Sequence, residues 1–391
     1  GINFLKLHAG YEITGNDDLP SAATRTYFEA ISYAGLAKGL ALSNIGNDKL
    51  KWEHTGTFTV GIDMLLLNNR LSVRADYFDS TTKDLLVRKQ LREEYGLQNY
   101  WTNDGSMRNR GFEVCVGGRI VETKDWQLNA NVTMGHYKNE VERLTDGNFI
   151  TNVMGANVLT AEGNPLGVFY GYKSEGVFTD MEDASKANLS VVDNTGRNLR
   201  FGAGDMHFAD IKVDGIIDEH DMTIIGDPNP DIYGAFGFNV NWKRLSLDAI
   251  FTYSLGNDAF NAMRQQMENG SSLNNQSEAM LRRWTGDGQA TDIPRATYGD
   301  PMGNSRFSDR WIEDASYLKL KQVSLSYSLP VKPRFIQGFQ VWASVTNVFT
   351  MTKYLGTDPE FFYGSQALCQ GIDTGLMPQT RTYNLGIKLN L

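Results

Sequence analysis

The 391-residue sequence has almost no cysteine. Cys115 and Cys369 are its only two, too few and too far apart for a disulfide framework or a zinc-ligand spacing. It has no long apolar run, and nothing approaches the roughly 18 consecutive apolar residues of a membrane-spanning helix. It has no excess of positive charge: 37 basic and 46 acidic residues give a formal net charge of −9, which is not the basic surface of a nucleic-acid binder. The short catalytic signatures are missing as well, with no G-x-S-x-G, H-E-x-x-H, GK[ST] or C-x-x-C. The five histidines (His8, His54, His136, His207, His220) are scattered. None of these absences excludes a membrane β-barrel. Its strands carry only about ten residues of alternating character and leave the mean hydropathy low; here it is −0.37.

What the sequence does have is a period of two. Leu5, Leu7, Ala9, Tyr11 and Ile13 alternate with Lys6, His8, Gly10 and Glu12. Similar alternation recurs at 58–64, 71–77, 112–120, 126–134, 236–242, 245–253, 323–329, 339–345 and 383–391, so ten strands are predicted. On one parity sit large apolar and aromatic residues, such as Phe339, Val341, Ala343 and Val345; on the other sit Gln340, Trp342, Ser344 and Thr346. In the last strand Tyr383, Leu385, Ile387, Leu389 and Leu391 oppose Asn384, Gly386, Lys388 and Asn390. Between Leu318/Leu320 and Val323–Leu329 the apolar parity changes, which predicts a β-bulge near Lys321–Gln322.

The connections alternate in length. Short ones fall near 66–69, 121–125, 243–244 and 330–338; long ones run roughly over 14–52, 83–109, 139–234, 256–314 and 349–380. Short periplasmic turns and long extracellular loops are the asymmetry of an outer-membrane barrel. A soluble β-sandwich also alternates. Here, however, the apolar parity carries Trp126, Trp242, Tyr77, Tyr253 and Tyr383 near strand ends, as an interfacial aromatic girdle does. The fold expected is all-β: a transmembrane antiparallel β-barrel, with one face in lipid and the other on a watery lumen.

Several short stretches, in order along the chain, resemble one family. They are Leu50-Lys-Trp-Glu53 with Val60-Gly-Ile-Asp63, Leu67-Asn-Asn-Arg-Leu71 with Asp76-Tyr-Phe78, Gly105-Ser-Met-Arg-Asn-Arg-Gly-Phe-Glu113 and Ile225-Gly-Asp-Pro-Asn-Pro230. Then come Trp311-Ile-Glu-Asp-Ala-Ser-Tyr-Leu-Lys-Leu320, Thr346-Asn-Val-Phe349, Tyr354 with Asp358-Pro-Glu360, and Pro378-Gln-Thr-Arg-Thr-Tyr383. Together they resemble the SusC/RagA-type TonB-dependent transporters of Bacteroidetes outer membranes. The resemblance implies that residues 1–391 are the C-terminal portion of the barrel, the last ten of about 22 strands around a plugged lumen. The plug domain and TonB box are expected in a segment this sequence does not include. Both edges of a ten-strand sheet must be paired within lipid, so the terminal strand is expected to meet the barrel's first.

One loop stands out. Asp210, Asp214, Asp218 and Asp221 fall at positions 1, 5, 9 and 12 of an EF-hand-type calcium loop, with Gly215 at position 6, the Ile216 carbonyl at position 7 and Ile217 at the apolar position 8. Lys212 at position 3 cannot ligate, and position 12 is Asp instead of Glu. The expectation is a structural calcium that braces the longest loop, or else an acidic turn closed by Asx hydrogen bonds and a Lys212 ion pair. No other cofactor is called for. Loop aromatics are the candidates for substrate or lid contact: Tyr100, Trp101, Phe169, Tyr170, Tyr172, Phe361, Phe362 and Tyr363. The alternative for each is loop packing. The carboxylate pair Glu313-Asp314 resembles a glycosidase pair, but beside Trp311 and Tyr317 it reads as a loop-to-strand junction.

The resemblance implies active nutrient uptake in a Gram-negative outer membrane. A SusD-like lipoprotein closes over the mouth, an oligosaccharide or peptide is captured, and TonB, acting through the missing N-terminal region, opens the plug. No bond-breaking chemistry is expected. The alternatives are a siderophore or cobalamin receptor of the same barrel type without a lipoprotein lid, a passive porin, and a surface glycosidase.

Overall fold

A computed structural model describes residues 1–390 apart from 21, 34–36, 92–93, 95, 98, 146, 331–336, 363 and 365–366. Its frame is one antiparallel sheet of ten strands in strict sequence order. They are β1 (Ile2–Asn16), β2 (Glu53–Leu66), β3 (Leu71–Lys83), β4 (Ser106–Glu122), β5 (Trp126–Arg143), β6 (Ile232–Trp242), β7 (Leu245–Leu255), β8 (Tyr317–Leu329), β9 (Gly338–Thr352) and β10 (Thr382–Asn390). These are the ten strands expected, most of them longer than the alternation showed. β4 and β5, of 17 and 18 residues, exceed the roughly 9–11 needed to span a bilayer, so their extracellular ends stand above it. The sheet begins at β1 and ends at β10, and among the described residues no pairing joins these two edges.

Residues opposite each other in an antiparallel pair share a face, so the register fixes the two surfaces. Leu5↔Met64, Leu7↔Ile62 and Tyr11↔Phe58 lie on one side; Lys6↔Asp63 and Glu12↔Thr57 lie on the other. The apolar side is bare. Leu7 is 73% exposed, Leu385 81% and Ile387 66%, although burial of one such side chain is worth about 1.5–3 kcal/mol. Rows of bare apolar side chains along β1 and β10 make sense only if their solvent is hydrocarbon. At the periplasmic turns Trp126 and Trp242 stack at 5.6 Å, with the Lys243 ammonium 5.7 Å from the Trp242 ring. That places an aromatic and a cation at the level of lipid headgroups. Leu391 and most of the β8–β9 turn lie outside the described residues.

Left-handed backbone falls mostly in the turns and loops, with Asn347 inside β9 (φ 51°) a case within the wall. Leu67, Asn68 and Asn69 have φ of 55°, 57° and 61°, and Lys243 has 53°, left-handed values that Asn tolerates better than most residues. The expected bulge is present: the β8 register shifts between Leu320 and Gln322 against β9, and β7 shifts between Ile250 and Phe251 against β8. The extra residue restores the facing, so Leu318 and Leu325 both point outward.

Candidate functional site

The polar wall and the loops above it form the site. On β1–β3 the polar parity is charged and cross-linked. His8 Nε2 is 2.8 Å from Asp76 Oδ1, Arg74 Nε donates to Asp76 Oδ2 at 2.8 Å, and Asp63 lies 3.8 Å from Lys6, His8 and Arg74. From β5 to β10 the same parity is mostly neutral. Asn129 donates to Asn239 (3.3 Å), Asn239 to Asp248 (2.6 Å), Asn241 to Asn239 (2.6 Å) and Gln340 to Ser326 (2.9 Å). A hollow of about 420 Å³ opens across β3 to β7, where the charged Arg70, Arg119 and Asp248 line it together with Asn129, Asn131 and Asn239. Within a barrel such a face lines the lumen.

The long loops fold over the extracellular end instead of trailing into solvent. Ala156, Val158 and Phe169 from the 144–231 connection bury against Phe260, Phe307 and Trp311 from the 256–316 connection and Ile372 from the last one. Phe260 and Phe307 meet edge to face at 5.0 Å. The strand Asp258–Asn261 pairs antiparallel with Ile312–Asp314 and parallel with Ile372–Asp373, so backbone bonds join two loops that are more than 50 residues apart. A second core gathers Phe178, Leu189, Phe201, Met206, Phe208, Ile217 and Met302. Arg295 clamps the buried Asp205 at 2.8 and 2.9 Å, and Asn304 donates to it at 3.0 Å.

One ionic latch fastens the last loop to the wall. Lys319 on β8 is 1% exposed. Its ammonium donates to Asp358 at 3.0 and 3.1 Å and to Glu360 at 2.8 Å; Lys321 reaches Glu360 at 2.8 and 3.0 Å. Asp358 also accepts from the backbone N–H of Glu360 (3.0 Å) and of Gln379 (3.2 Å). Nearby, buried Tyr354 donates to Asp373 at 2.7 Å, and burial together with that carboxylate pushes its phenol up.

The predicted contact aromatics divide. Tyr172 is used in packing: the Arg306 guanidinium lies 4.7 Å over its ring and Phe208 5.8 Å away. Phe169 is wholly buried in the first core. Phe361 packs on Tyr354 at 6.0 Å. Tyr170 is half-buried, as are Tyr100 and Trp101 in the hairpin Leu86–Gln90/Asn99–Asn103. Phe362 is 76% exposed. Tyr363 lies outside the described residues. Glu313 is the junction residue expected, taking Arg264, Asn261 and the Leu355 N–H.

In the acidic loop each carboxylate faces a backbone N–H. Asp210 accepts from Asp214 (3.2 Å) and Gly215 (2.8 Å), Asp214 from Ile216 (3.0 Å), Asp218 from His220 (2.8 Å), and the buried Asp221 from Lys212 (3.1 Å) and Asp218 (2.9 Å). Ile217 is buried in the second core. The Lys212 ammonium lies 3.1 Å from Asp214 and is held charged by it, while hydrogen bonds from the Ile216 N–H and Lys212 draw the Asp214 carboxyl below its ordinary range. Among the described residues no three His, Cys, Asp or Glu side chains converge as a metal cluster. As arranged, the loop is closed by hydrogen bonds and an ammonium; a calcium ion there would have to draw the carboxylates together and displace Lys212.

Sequence reasoning read the polar parity as a lumen wall but passed over the latch, although the signal was present: Lys319 is a charge on the lumen parity of a strand, and Asp358-Pro-Glu360 supplies its partners.

The β-barrel model of the TonB-dependent receptor-like family matches residues 6–201. TonB-dependent receptor P3 of Formosa agariphila is 30% identical over 99% of this chain and 39% of its own length. TonB-dependent receptor SusC of Bacteroides thetaiotaomicron is 27% identical over 99% of this chain and 38% of its own. A solved structure of the RagAB peptide transporter superposes with a TM-score of 0.78 at 27% identity, over 99% of this chain and 41% of that one. The chain therefore spans about two fifths of the length of these relatives.

Proposed function

The chain belongs to the TonB-dependent receptor-like β-barrel family, a wall of outer-membrane barrels, and from that premise we propose that it serves active import of oligosaccharides or peptides. The observation that carries the reading is the combination of one bare apolar face, one polar lumen face and a tightly packed roof of extracellular loops. A passive pore has no need of such a roof; a captured solute does. The protein would work by binding, gating and confinement, and the receptors and importers among its relatives support that over bond-breaking chemistry. In this reading the remaining barrel strands and a plug complete the lumen, β1 and β10 pair with those strands, TonB acts on the plug, and a SusD-like lipoprotein closes over the loops.

The test is purification of the full-length protein from its native membrane, followed by uptake. Co-purification of a lipoprotein, with import that stops when TonB or the proton gradient is removed, is the expected result. Import without any lipoprotein, and selective for metal chelates, would favour a siderophore- or cobalamin-type receptor. Gradient-independent flux would overturn active import.

A further inference from the structure

The outward face of β3–β5 changes chemistry at one level of the strands. Tyr77, Phe112 and His136 lie side by side in the register, and the Phe112 and His136 rings are 5.6 Å apart. They close the apolar face at its extracellular end, as Trp126 and Trp242 close it at the periplasmic end. Trp126 and His136 both stand on β5, ten residues apart. That is about 34 Å along the strand. At a tilt of about 40° it is about 26 Å along the membrane normal, the height of an outer-membrane barrel's apolar band. The next outward row is Asp79, Arg110 and Lys138, and the one above it is Thr81, Arg108 and Glu140. Both rows therefore stand among the headgroups of the outer leaflet.

At this height the loops pack on the other side of the sheet. Asn139 faces inward, where it is buried and accepts from the Leu166 N–H at 2.6 Å. Lys138, beside it in sequence, points outward and is 59% exposed; Arg110 is 45% exposed. Arg110 and Lys138 are directly opposite each other, and like charges in that position destabilise a sheet. Among the described residues their one ion-pair partner is the shared Glu140. It lies 3.2 Å from the Lys138 ammonium and 3.6 Å from the Arg110 guanidinium, the second beyond hydrogen-bond length. The other acids of the patch are engaged by Arg108, which donates to Asp79 at 2.8 Å and lies 3.7 Å from Glu142. A guanidinium fork and an ammonium side by side, with donors to spare, fit the oxygens of a phosphate.

We propose that the outward face of β4–β5, just above the aromatic row, binds a phosphate-bearing glycolipid headgroup of the outer leaflet, with Arg110 and Lys138 on the phosphate. The outer leaflet of a Gram-negative outer membrane is built of such glycolipid, and the apolar face below the patch lies against its acyl chains. The site is on the opposite side of the wall from the lumen, so the inference holds whatever solute is imported.

The experiment uses the full-length protein purified in detergent, with EDTA present, and reads lipid binding by native mass spectrometry. The probes are diphosphoryl lipid A, its dephosphorylated form and phosphatidylglycerol. Diphosphoryl lipid A should bind at least about tenfold tighter than the other two. Arg110→Gln/Lys138→Gln should weaken it by about tenfold to thirtyfold, the loss of two cations beside an anionic headgroup. Arg110→Lys/Lys138→Arg should stay within about threefold of wild type, and Lys243→Gln at the periplasmic end should bind as the wild type does. Undiminished binding by the double Gln variant overturns the proposal, as does an equal loss in Lys243→Gln. Equal binding of the dephosphorylated form or of phosphatidylglycerol overturns it too. So does binding that appears only when EDTA is left out, since a divalent ion on Glu140 and Glu142 would then hold the lipid. Should the double Gln variant fail to fold, Glu140→Gln decides. It frees both cations and should tighten binding by about threefold; no tightening overturns the proposal.

Discussion

Replacing Lys319 with Met tests how the roof is held to the wall. The ammonium sits about 3 Å from two carboxylates in a site that is 1% exposed. With an effective dielectric of about 20, each attraction is worth roughly 5–6 kcal/mol. Desolvating three ions costs several kcal/mol apiece, so the net value of the latch is a small difference of large terms. Removing the cation alone is the severe case, because it leaves Asp358 buried and uncompensated, a loss of about 3–5 kcal/mol in comparable pairs. Here the loss should be smaller. Asp358 keeps two backbone donors, and Glu360 keeps Lys321. We expect Lys319→Met to destabilise by about 2–4 kcal/mol and to speed hydrogen exchange through 354–380. The double variant Lys319→Met/Asp358→Asn, which removes the stranded charge, should recover most of it, to within about 1 kcal/mol of wild type. Urea unfolding of the detergent-purified full-length protein reads the first quantity and exchange mass spectrometry the second. A single variant as stable as wild type, or a double variant no better than the single, refutes this account of the latch.

Three further outcomes are expected. Ile387→Arg on the lipid face of β10 should cost about 2–4 kcal/mol near mid-bilayer, while Asn384→Arg on the lumen face should cost within about 1 kcal/mol; equal losses in a folding titration would mean the facing is wrong. Gly204 has φ of 79°, and a Cβ there would meet the Trp284 ring at 2.4 Å, so Gly204→Ala combines backbone strain with overpacking. It should cost about 2–3 kcal/mol, seen as faster exchange across 178–209; protection equal to wild type would contradict it. Calcium binding by the 210–221 loop is a proposal that titration decides. A calcium brace predicts a rise in melting temperature at about millimolar calcium, larger in Lys212→Asn, where the competing ammonium is gone, and absent in Asp214→Ala; unchanged melting in all three refutes it.

The wall was legible because a strand's two faces follow from backbone geometry alone. Once Leu385, Ile387 and Leu389 share a parity with no polar residue among them, and Asn384 and Lys388 share the other, the chain has stated that it has two solvents. The bulge was legible for the same reason, as a break in that parity between Leu320 and Val323. The loops carry no such period. Tyr172 and Phe362 are both loop aromatics in the sequence, yet one is sandwiched by Arg306 and Phe208 and the other stands in solvent.

By itself, then, the sequence determined which side chains face lipid, which face water and how many strands make the wall, since each rests on neighbours two residues apart. Only the tertiary structure decided that Lys319 finds Asp358 and Glu360, that three connections share the core around Trp311, and that the carboxylates of the acidic loop turn to backbone N–H groups. Those contacts join residues tens to more than two hundred positions apart, or depend on which of several donors wins a carboxylate. Such pairings are set by packing and competing hydrogen bonds, which leave no periodic trace in the chain.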